Sequence, residues 1–279
     1  MPGLIDAKVD VGASPGALST FAAFGITTVI DSTSTNAESQ AMHLAISENP
    51  TLPSYFATGS AIGPRGASFL GTFPFRAVQI ATTPAEAKIV VAKNLTSTGA
   101  WLSGTPLADA YKLALDAGFD IVTAVPVDRA LDAEVVRGFA QKSIGVVPTL
   151  SYLQKAVHMA DNTDYDFAHA MAAVKQLHKA GVRICAGTSA NEEDGMAVSF
   201  GQSLHEELQL LAEAGLSNIE VIRAATCVPS ALFGLRDRGG IEPGCRADLL
   251  LVDGNPLENL AISNKIRRVW IAGVEIDIR

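Results

Sequence analysis

The alternation of short apolar segments with longer amphipathic ones is the feature that most constrains the fold of this chain. The apolar segments are rich in β-branched residues and end at turn residues, so they predict buried strands at residues 4–9, 27–31, 53–58, 119–123, 145–150 and 182–186. The amphipathic segments predict helices at residues 14–24, 36–48, 84–95, 106–117, 132–141, 166–180, 201–214 and 218–232. Strands that alternate with helices in this way are typical of a parallel sheet with helical crossovers.

Two observations favour a closed barrel over an open sheet. No Gly-x-Gly-x-x-Gly follows a predicted strand, which removes the main reason to expect a dinucleotide-binding fold. A (β/α) barrel takes about 250 residues, and the chain has 279. With a weaker strand at residues 100–102 we count seven strands, whereas a closed barrel has eight. The sequence therefore predicts an α/β fold, a TIM-like (β/α) barrel that lacks one β/α unit.

The carboxyl-terminal region departs from this rhythm. After a Gly-rich turn at residues 239–244, residues 247–252 and 267–276 read as antiparallel strands that lie outside the barrel. We therefore expect a barrel at residues 1–238 and a small β-domain at residues 239–279.

The composition excludes several classes of protein. A formal net charge of −8 provides no basic field for nucleic acid. No apolar run approaches the roughly 20 residues that span a membrane, and residues 1–6 lack the features of a secretory signal. The three cysteines have no C-x-x-C spacing, so neither a disulfide scaffold nor a zinc ribbon is expected. We expect a cytoplasmic protein with a small-molecule substrate and no nucleic-acid or membrane partner.

Several short motifs near the predicted strands and in the carboxyl-terminal region are more specific than the composition. They are Pro2-Gly3-Leu4-Ile5-Asp6-Ala7, Phe24-Gly25-Ile26-Thr27-Thr28-Val29, Val146-Val147-Pro148-Thr149-Leu150, Ala247-Asp248-Leu249 and Gly254-Asn255-Pro256-Leu257. Over almost the whole chain, these motifs resemble the imidazolonepropionase-like branch of the amidohydrolase superfamily. The resemblance implies a TIM barrel whose strand ends hold one or two divalent metals, which activate water to attack C–N or C–O bonds.

The resemblance also bears on the ends of the barrel. It implies that residues 239–279 are the remnant of a composite β-sandwich whose other strands precede the barrel in that family. The apolar carboxyl-terminal strands are then expected to lie partly uncovered and to join the chain into a homo-oligomer, such as a homodimer. Packing of these strands against the barrel's own helices is the alternative.

The positions that resemble metal ligands carry other residues. The family's His-x-His on the first strand is Lys8-Val9-Asp10, the histidine of the sixth strand is Ala124, and the aspartate of the eighth strand is Ser189. An ammonium group has no lone pair, a methyl group has no donor atom and a neutral hydroxyl is a poor ligand. We therefore expect a protein without the metal centre and without a cofactor.

Lys8 and Asp10 are the central catalytic candidates, because residues two apart on one strand share a face. The Lys8 ammonium can polarise a substrate oxygen while Asp10 moves a proton, or a desolvated Lys8 can form a Schiff base. An ion pair that fills a vacated cavity is the structural alternative. The other predicted catalytic residues are Tyr152 and His205. The predicted substrate-binding residues are Asp31, Arg65, Thr123, Ser151, Ser189 and Asn191.

Our leading interpretation of function is a metal-independent enzyme that carries out isomerisation, dehydration or cyclisation on a small, largely apolar molecule. The first alternative is a non-catalytic pseudoenzyme that serves as a binding or oligomerising partner. The second is a hydrolase of C–N or C–O bonds with a rearranged site around His205 and the histidines at 158, 169 and 178. Loss of the metal ligands is compatible with new chemistry and with none, so the sequence leaves these alternatives open.

Overall fold

Three parallel strands at the start of the chain form the first sheet. The computed structural model describes residues 1–12, 14–58, 62–63, 79–80, 83, 85–86, 101–102, 106–160 and 164–278. In it, β1 (Leu4–Val9), β2 (Ile26–Asp31) and β3 (Ser54–Ala57) pair side by side in that order. Every residue of β1 and β2 is buried, as expected of parallel strands covered on both faces. Helices α1 (Gly16–Ala23) and α2 (Asn36–Glu48) connect these strands.

The second sheet is also parallel and is built from short strands. Its members are β4 (Ile62–Gly63), β5 (Gln79–Ile80), β6 (Trp101–Leu102), β7 (Ile121–Thr123) and β8 (Gly145–Val147). They pair in the order β5-β4-β6-β7-β8. Strands β4 and β5 lie in the interval where the sequence predicted none, and the predicted helix at 84–95 lies outside the described residues apart from 85–86. The predicted missing β/α unit therefore remains a prediction.

The segment around Ile184 joins the two sheets. Ile184 bridges to Val146 of β8, and Ala190 bridges to Val9 of β1, both in parallel. The N–H of Ala7 also donates to the carbonyl of Ala186, at 2.9 Å. The strand predicted at residues 182–186 is thus found as a bridging segment between β8 and β1, which continues the parallel arrangement past β8.

Helices cover these sheets. They are α3 (Ala108–Ala117), α4 (Ala133–Gln141), α5 (Leu150–Met159), α6 (Phe167–Lys179), α7 (Gln202–Glu213), α8 (Asn218–Ala224) and α9 (Cys227–Leu232). The sequence did not predict α5, and it predicted α8 and α9 as one helix. The break between them follows from Pro229, which has no N–H for the carbonyl four residues earlier. Among the described helices, none is long and apolar enough to cross a membrane.

The carboxyl-terminal strands form an antiparallel sheet in the order β11-β10-β9, with β9 at Leu249–Val252, β10 at Ile266–Ile271 and β11 at Val274–Ile276. A short 3-10 helix, Leu260–Asn264, precedes β10. The sequence predicted β10 and β11 as one strand. Ala272 and Gly273 divide them with φ angles of 52° and 83°, a backbone that matches a two-residue hairpin turn.

The start of the chain ties this sheet to the first one. The Met1 ammonium donates to the carbonyl of Leu250 at 2.8 Å, and the N–H of Gly3 donates to the carbonyl of Asp248 at 2.8 Å. Leu250 and Val269 are buried, whereas Leu251 and Val274 are about half exposed, at 48% and 52%. The sheet thus packs one face against the rest of the chain. The predicted domain boundary after residue 238 and the predicted homo-oligomer remain predictions.

Candidate active site

Three residues with left-handed backbone mark one end of the parallel strands. Ala124 follows β7, Thr149 follows β8, and Ser189 follows the bridging segment, with φ angles of 66°, 54° and 57°. This conformation brings the β-carbon close to the following carbonyl and costs roughly 1–2 kcal/mol in a residue other than glycine. Such residues cluster at functional sites, where the surrounding structure holds them in place. The carboxyl ends of these strands are therefore the candidate active site.

Lys8, Asp10 and Ser189 meet at this end, and we call them the Lys-Asp-Ser triad. The Lys8 Nζ atom donates to Ser189 Oγ at 2.5 Å and forms an ion pair with Asp10. Ser189 Oγ in turn donates to Asp10 Oδ2 at 3.0 Å. Lys8 and Ser189 are buried, and the Asp10 side chain keeps 22% of its exposure. The triad thus places a cation, an anion and a hydroxyl in mutual contact, with the carboxylate as its accessible member.

The fully buried Asp6 side chain positions Ser189 through Thr188. The Asp6 carboxylate accepts hydrogen bonds from the N–H of Thr188, at 3.1 Å, and from its hydroxyl, at 2.7 Å. The N–H of Ser189 donates to the carbonyl of Lys8 at 2.8 Å. Burial raises the pKa of Asp6 to about 7, and the bonds from Thr188 oppose that shift. The strand that carries Lys8 therefore also fixes the residue that Lys8 contacts.

Asp31 orders the loop that brings a further hydroxyl to Asp10. Its carboxylate accepts from the N–H groups of Val11, Thr33 and Ser34, and burial raises its pKa, with the charge of Asp10 adding to the effect. The Thr33 hydroxyl donates to Asp10 Oδ1 at 2.7 Å. Asp31, predicted to bind substrate, uses its described hydrogen bonds to hold the backbone of Val11, Thr33 and Ser34 in place. Thr33 was missed, although a hydroxyl just past a strand end is a signal that sequence reasoning can use.

Glu207 holds the start of α5 beside the site. Its fully buried carboxylate accepts from the N–H groups of Leu150, at 2.9 Å, and Ser151, at 2.7 Å. A carboxylate is favoured there because the first N–H groups of a helix lack partners within the helix. Burial raises the pKa of Glu207 to about 7. The predicted Ser151 donates its hydroxyl to the carbonyl of Thr188, at 3.4 Å, so it lies next to the triad.

Tyr152 and Thr123 also lie at this end. Burial raises the pKa of the partly buried Tyr152, and the charge of Asp10 adds to the effect, which places the phenol in the field of that carboxylate. Thr123 is buried at the end of β7. Arg65, also predicted to bind substrate, lies outside the described residues.

His205 and Asn191 make contacts that fix the chain. The His205 Nε2 atom lies 3.0 Å from the carbonyl of Phe24, and Nδ1 lies 3.0 Å from the Ser263 hydroxyl. Since a carbonyl can only accept, Nε2 carries the proton and Nδ1 accepts. Phe24 precedes the amino end of β2, so His205 is not brought to the triad. The Asn191 amide donates to the carbonyl of Ser189 at 2.8 Å, which supports the triad through the backbone.

The loop histidines are not brought together as one site. His178 contacts Glu220 at 3.0 Å, and His158 lines a groove of about 450 Å³ between α5 and residues 197–199. His169 lies on α6. The part of the chain that the structure describes contains no group of three or more His, Cys, Asp or Glu side chains that could hold a metal ion.

The donors at the triad do not fit a divalent metal. Lys8 presents an ammonium group at the position that the resemblance assigns to a ligand, and Ala124 and Ser189 offer no charged donor. Asp10 is already shared by Lys8, Ser189 and Thr33. Residues 59–105 contain no His, Cys or Asp and a single glutamate, Glu86. No step of the chemistry below therefore passes through a metal ion.

Comparisons with known proteins agree on one family. The amidohydrolase family matches residues 74–276. Adenine deaminase 2 of Desulfotalea psychrophila is 41% identical over 73 residues, which are 26% of this chain and 12% of that protein. Imidazolonepropionase of Deinococcus deserti is 32% identical over 105 residues, which are 37% of this chain and 26% of that protein. The matched stretches thus span about a quarter or less of these relatives.

Solved structures resemble nearly the whole chain. Phenylurea hydrolase B aligns with a TM-score of 0.77 at 15% identity and covers 99% of this chain and 85% of its own. A putative prolidase from Bifidobacterium longum aligns with a TM-score of 0.70 at 23% identity, over 99% and 80% of the two chains. At these identities the likeness concerns the fold, and it implies a TIM-like α/β barrel.

Proposed function

Since the family match extends over residues 74–276, the chain belongs to the amidohydrolase family, and we propose that it hydrolyses C–N or C–O bonds at the Lys-Asp-Ser triad. The convergence of Lys8, Asp10 and Ser189 at the strand ends is the observation that carries this proposal. Among the similar proteins, adenine deaminases, prolidases and a phenylurea hydrolase are named for reactions at C–N bonds.

This proposal replaces our leading interpretation from the sequence. The similar proteins give no support to isomerisation, dehydration or cyclisation, and they favour the hydrolase that the sequence left as an alternative. The site also moves. We assigned the rearranged site to His205 and the loop histidines, whereas the contacts of the triad support a site on β1 and the segment that carries Ser189.

The triad has the parts that hydrolysis of an acyl compound needs. Lys8 has three N–H donors, of which Asp10 and Ser189 take two within the described contacts. A third can meet the carbonyl oxygen of a substrate and stabilise the negative charge that develops there, an interaction that gains strength in a site shielded from water. Asp10 is partly exposed and can accept a proton from the water molecule that attacks the carbonyl carbon of the substrate. Thr33 holds Asp10 in place from the other side.

A non-catalytic role is the second candidate, and one observation favours it. The buried ammonium group of Lys8 is neutralised by Asp10 and hydrogen-bonded to Ser189. The triad can therefore also serve a purely structural role, in which it fills the place of a metal centre. Under this alternative the family's barrel serves as a binding or oligomerising partner.

Hydrolysis assays on the purified full chain separate the two candidates. Dipeptides that end in proline, aryl ureas, aminopurines and simple esters cover the bond types of the similar proteins, and each is tested with and without a chelator. We expect turnover of at least one class, insensitive to chelation. Lys8→Met and Asp10→Asn should each lower it by about a hundredfold or more, the usual share of a positioned acid or base.

The matched controls are Lys112→Met and Asp116→Asn, which change an exposed Lys-Asp pair on α3. Circular dichroism checks that every variant is folded. Full activity in both triad variants would refute the assigned roles, and the absence of turnover across all classes would favour the non-catalytic candidate.

A further inference from the structure

We propose that Ser189 is the attacking nucleophile and that the reaction passes through a covalent acyl-enzyme on its Oγ atom. This inference rests on the proposed function and deepens it. In the first step, Ser189 and not a water molecule then attacks the substrate. This step also restricts the substrate class to compounds with an electrophilic acyl group, namely amides and esters, because the serine oxygen must form an ester with the substrate.

The contacts of the Ser189 hydroxyl are those of an activated nucleophile. Its oxygen accepts from the Lys8 ammonium at 2.5 Å and its proton points to Asp10 Oδ2 at 3.0 Å. The carboxylate can take the proton as the oxygen attacks, and the ammonium stabilises the negative charge that the oxygen gains. A nucleophile within hydrogen-bond reach of a base, with a third group that orients that base, is the general signature of covalent catalysis. Thr33 supplies the orienting contact to Asp10.

The backbone of Ser189 is fixed in the way that a nucleophile requires. Its φ angle of 57° places the side chain on a sharp turn just past the bridging segment. Its N–H donates to the carbonyl of Lys8 at 2.8 Å, and its carbonyl accepts from the Asn191 amide at 2.8 Å. Strained turns after a strand carry the nucleophilic serine of many hydrolases. Here one hydrogen bond holds such a turn against β1, directly before the general base Asp10, and the other closes the turn locally.

The neighbouring hydroxyls are used differently. The Thr188 hydroxyl donates to Asp6 at 2.7 Å and accepts from the N–H of Ala190 at 2.9 Å, so both of its functions serve the loop. The Ser151 hydroxyl donates to a carbonyl. Within the described part of the site, Ser189 is the hydroxyl that contacts both the cation and the anion of the triad.

The steps balance without a further reagent. Ser189 Oγ forms a bond to the carbonyl carbon of the substrate and its proton goes to Asp10, while Lys8 stabilises the oxyanion. The bond from that carbon to the leaving nitrogen or oxygen breaks, and Asp10 returns the proton to the leaving group. Water then attacks the acyl carbon and gives a proton to Asp10. The ester bond to Ser189 breaks, and the proton from Asp10 restores the hydroxyl.

An alkyl fluorophosphonate tests this inference without knowledge of the substrate, because an activated serine displaces its fluoride and becomes phosphonylated. The full chain is treated with the probe and analysed by intact and peptide mass spectrometry. We expect one equivalent on Ser189. Ser143 is the matched internal control, since it is exposed and has a left-handed φ of 56°, with no contact of its hydroxyl to Lys or Asp in the described part of the chain. Its peptide should stay unlabelled.

Variants make the test decisive. Ser189→Ala should abolish labelling, and Ser189→Gly serves as the second variant because glycine adopts this backbone without strain. Asp10→Asn should slow labelling by about a hundredfold, whereas Asp116→Asn should leave it unchanged. Equal labelling of wild type and Ser189→Gly overturns the inference. So does an unlabelled wild-type protein that hydrolyses its substrate.

The outcomes also separate this inference from the proposed function. Hydrolysis at the wild-type rate by Ser189→Gly would mean that water attacks the substrate directly. The role of Ser189 as nucleophile would then be refuted, whereas the proposed hydrolase function would be kept. Selective labelling of Ser189 in a chain that turns over no amide or ester would mean that the serine is activated but that the proposed hydrolase function is wrong.

Discussion

The protein contains two clusters in which cations pair with anions, and their surroundings differ. The first is the Lys-Asp-Ser triad, whose strand ends carry left-handed backbone at Ala124, Thr149 and Ser189. Its carboxylate, Asp10, is partly exposed. The second, which we call the arginine cluster, consists of Arg238, Arg246, Asp237 and Asp248 and joins the carboxyl-terminal sheet to the first sheet.

The contacts of the arginine cluster are those of a structural link. Arg238 forms two 2.9 Å hydrogen bonds with Asp237 and one of 3.0 Å with the Thr28 hydroxyl. Arg246 Nε forms an ion pair with Asp248 at 3.1 Å, and Asp248 accepts a hydrogen bond from the N–H of Ala272 at 2.9 Å. Buried charge therefore does not by itself identify a site. The arginine cluster also contacts a left-handed residue, Ala272, so what distinguishes the triad is its place at the carboxyl ends of the parallel strands.

Removal of the Asp248 carboxylate should have the largest effect on stability. Asp248→Ala leaves two arginines and the N–H of Ala272 without this partner, and breaking a buried ion pair costs about 3–5 kcal/mol. Urea unfolding followed by circular dichroism measures the loss. Asp116→Ala is the control, because its pair with Lys112 is exposed and screened by solvent, so its loss should change stability little. Equal losses in the two variants would contradict the structural role of the arginine cluster.

The triad should behave in the opposite way. Residues kept for function are often replaced at no cost to stability, and well-packed apolar side chains in place of a buried ion pair can stabilise by about 1–4 kcal/mol. We therefore expect Lys8→Met combined with Asp10→Leu to unfold at the same or a higher urea concentration than the wild type while activity is lost. Strong destabilisation would assign the triad to structure, as in the non-catalytic candidate.

Two buried carboxylates beside the triad, Asp6 and Glu207, should make stability depend on pH. Asp6 and Glu207 are held by N–H and O–H donors, and burial raises each pKa to about 7. The folded state then binds more protons than the unfolded state between about pH 4 and 7. Stability should fall as pH rises through this window, by on the order of 1 kcal/mol per pH unit for each group, and level off above pH 7.

Urea unfolding between pH 4.5 and 8 follows this slope. Asp6→Asn should make it shallower, because the amide does not titrate. A slope in the variant that equals that of the wild type would show that the Asp6 carboxylate titrates alike in the folded and unfolded states.

The smallest effect concerns the strained backbone itself. Ala124→Gly should stabilise the protein by about 1 kcal/mol, because glycine adopts a φ of 66° without a steric penalty. Ser143→Gly makes the same change away from the triad, at a φ of 56°. Calorimetric melting temperatures compare the two. A gain at Ser143 with a loss at Ala124 would mean that the Ala124 methyl group packs more favourably than its backbone costs.

Part of this picture could be predicted from the sequence. The period of two along the first strand predicted that Lys8 and Asp10 share a face, and the resemblance of Ser189 to the family's eighth-strand ligand predicted that it lies at the same end as Lys8 and Asp10. In the structure, Ser189 Oγ lies 2.5 Å from Lys8 Nζ and 3.0 Å from Asp10 Oδ2, and the catalytic role of these residues stays a prediction. Regular amphipathic periods likewise predicted α2 over the residues it occupies.

Other features depend on contacts that no local pattern encodes. Glu207 caps a helix that starts 57 residues earlier in the chain, and Asp6 binds a residue 182 positions away. The α5 helix was missed because it begins directly after a strand, through Thr149 in a left-handed conformation. Alanine at the Ala272 turn hid the end of β10, since turns of this kind usually carry Asn, Asp or Gly.

The wide sequence separation inside the triad has a consequence for biosynthesis. Lys8 and Ser189 are 181 residues apart, and the Met1 ammonium bonds to Leu250, 249 residues away. At about 5–20 residues per second, a ribosome needs roughly 10–40 s between the synthesis of Lys8 and that of Ser189. β1 can therefore pair with β2 early, but it must wait for the segment that carries Ser189, so a nascent chain lacks the complete triad until residue 189 has been made.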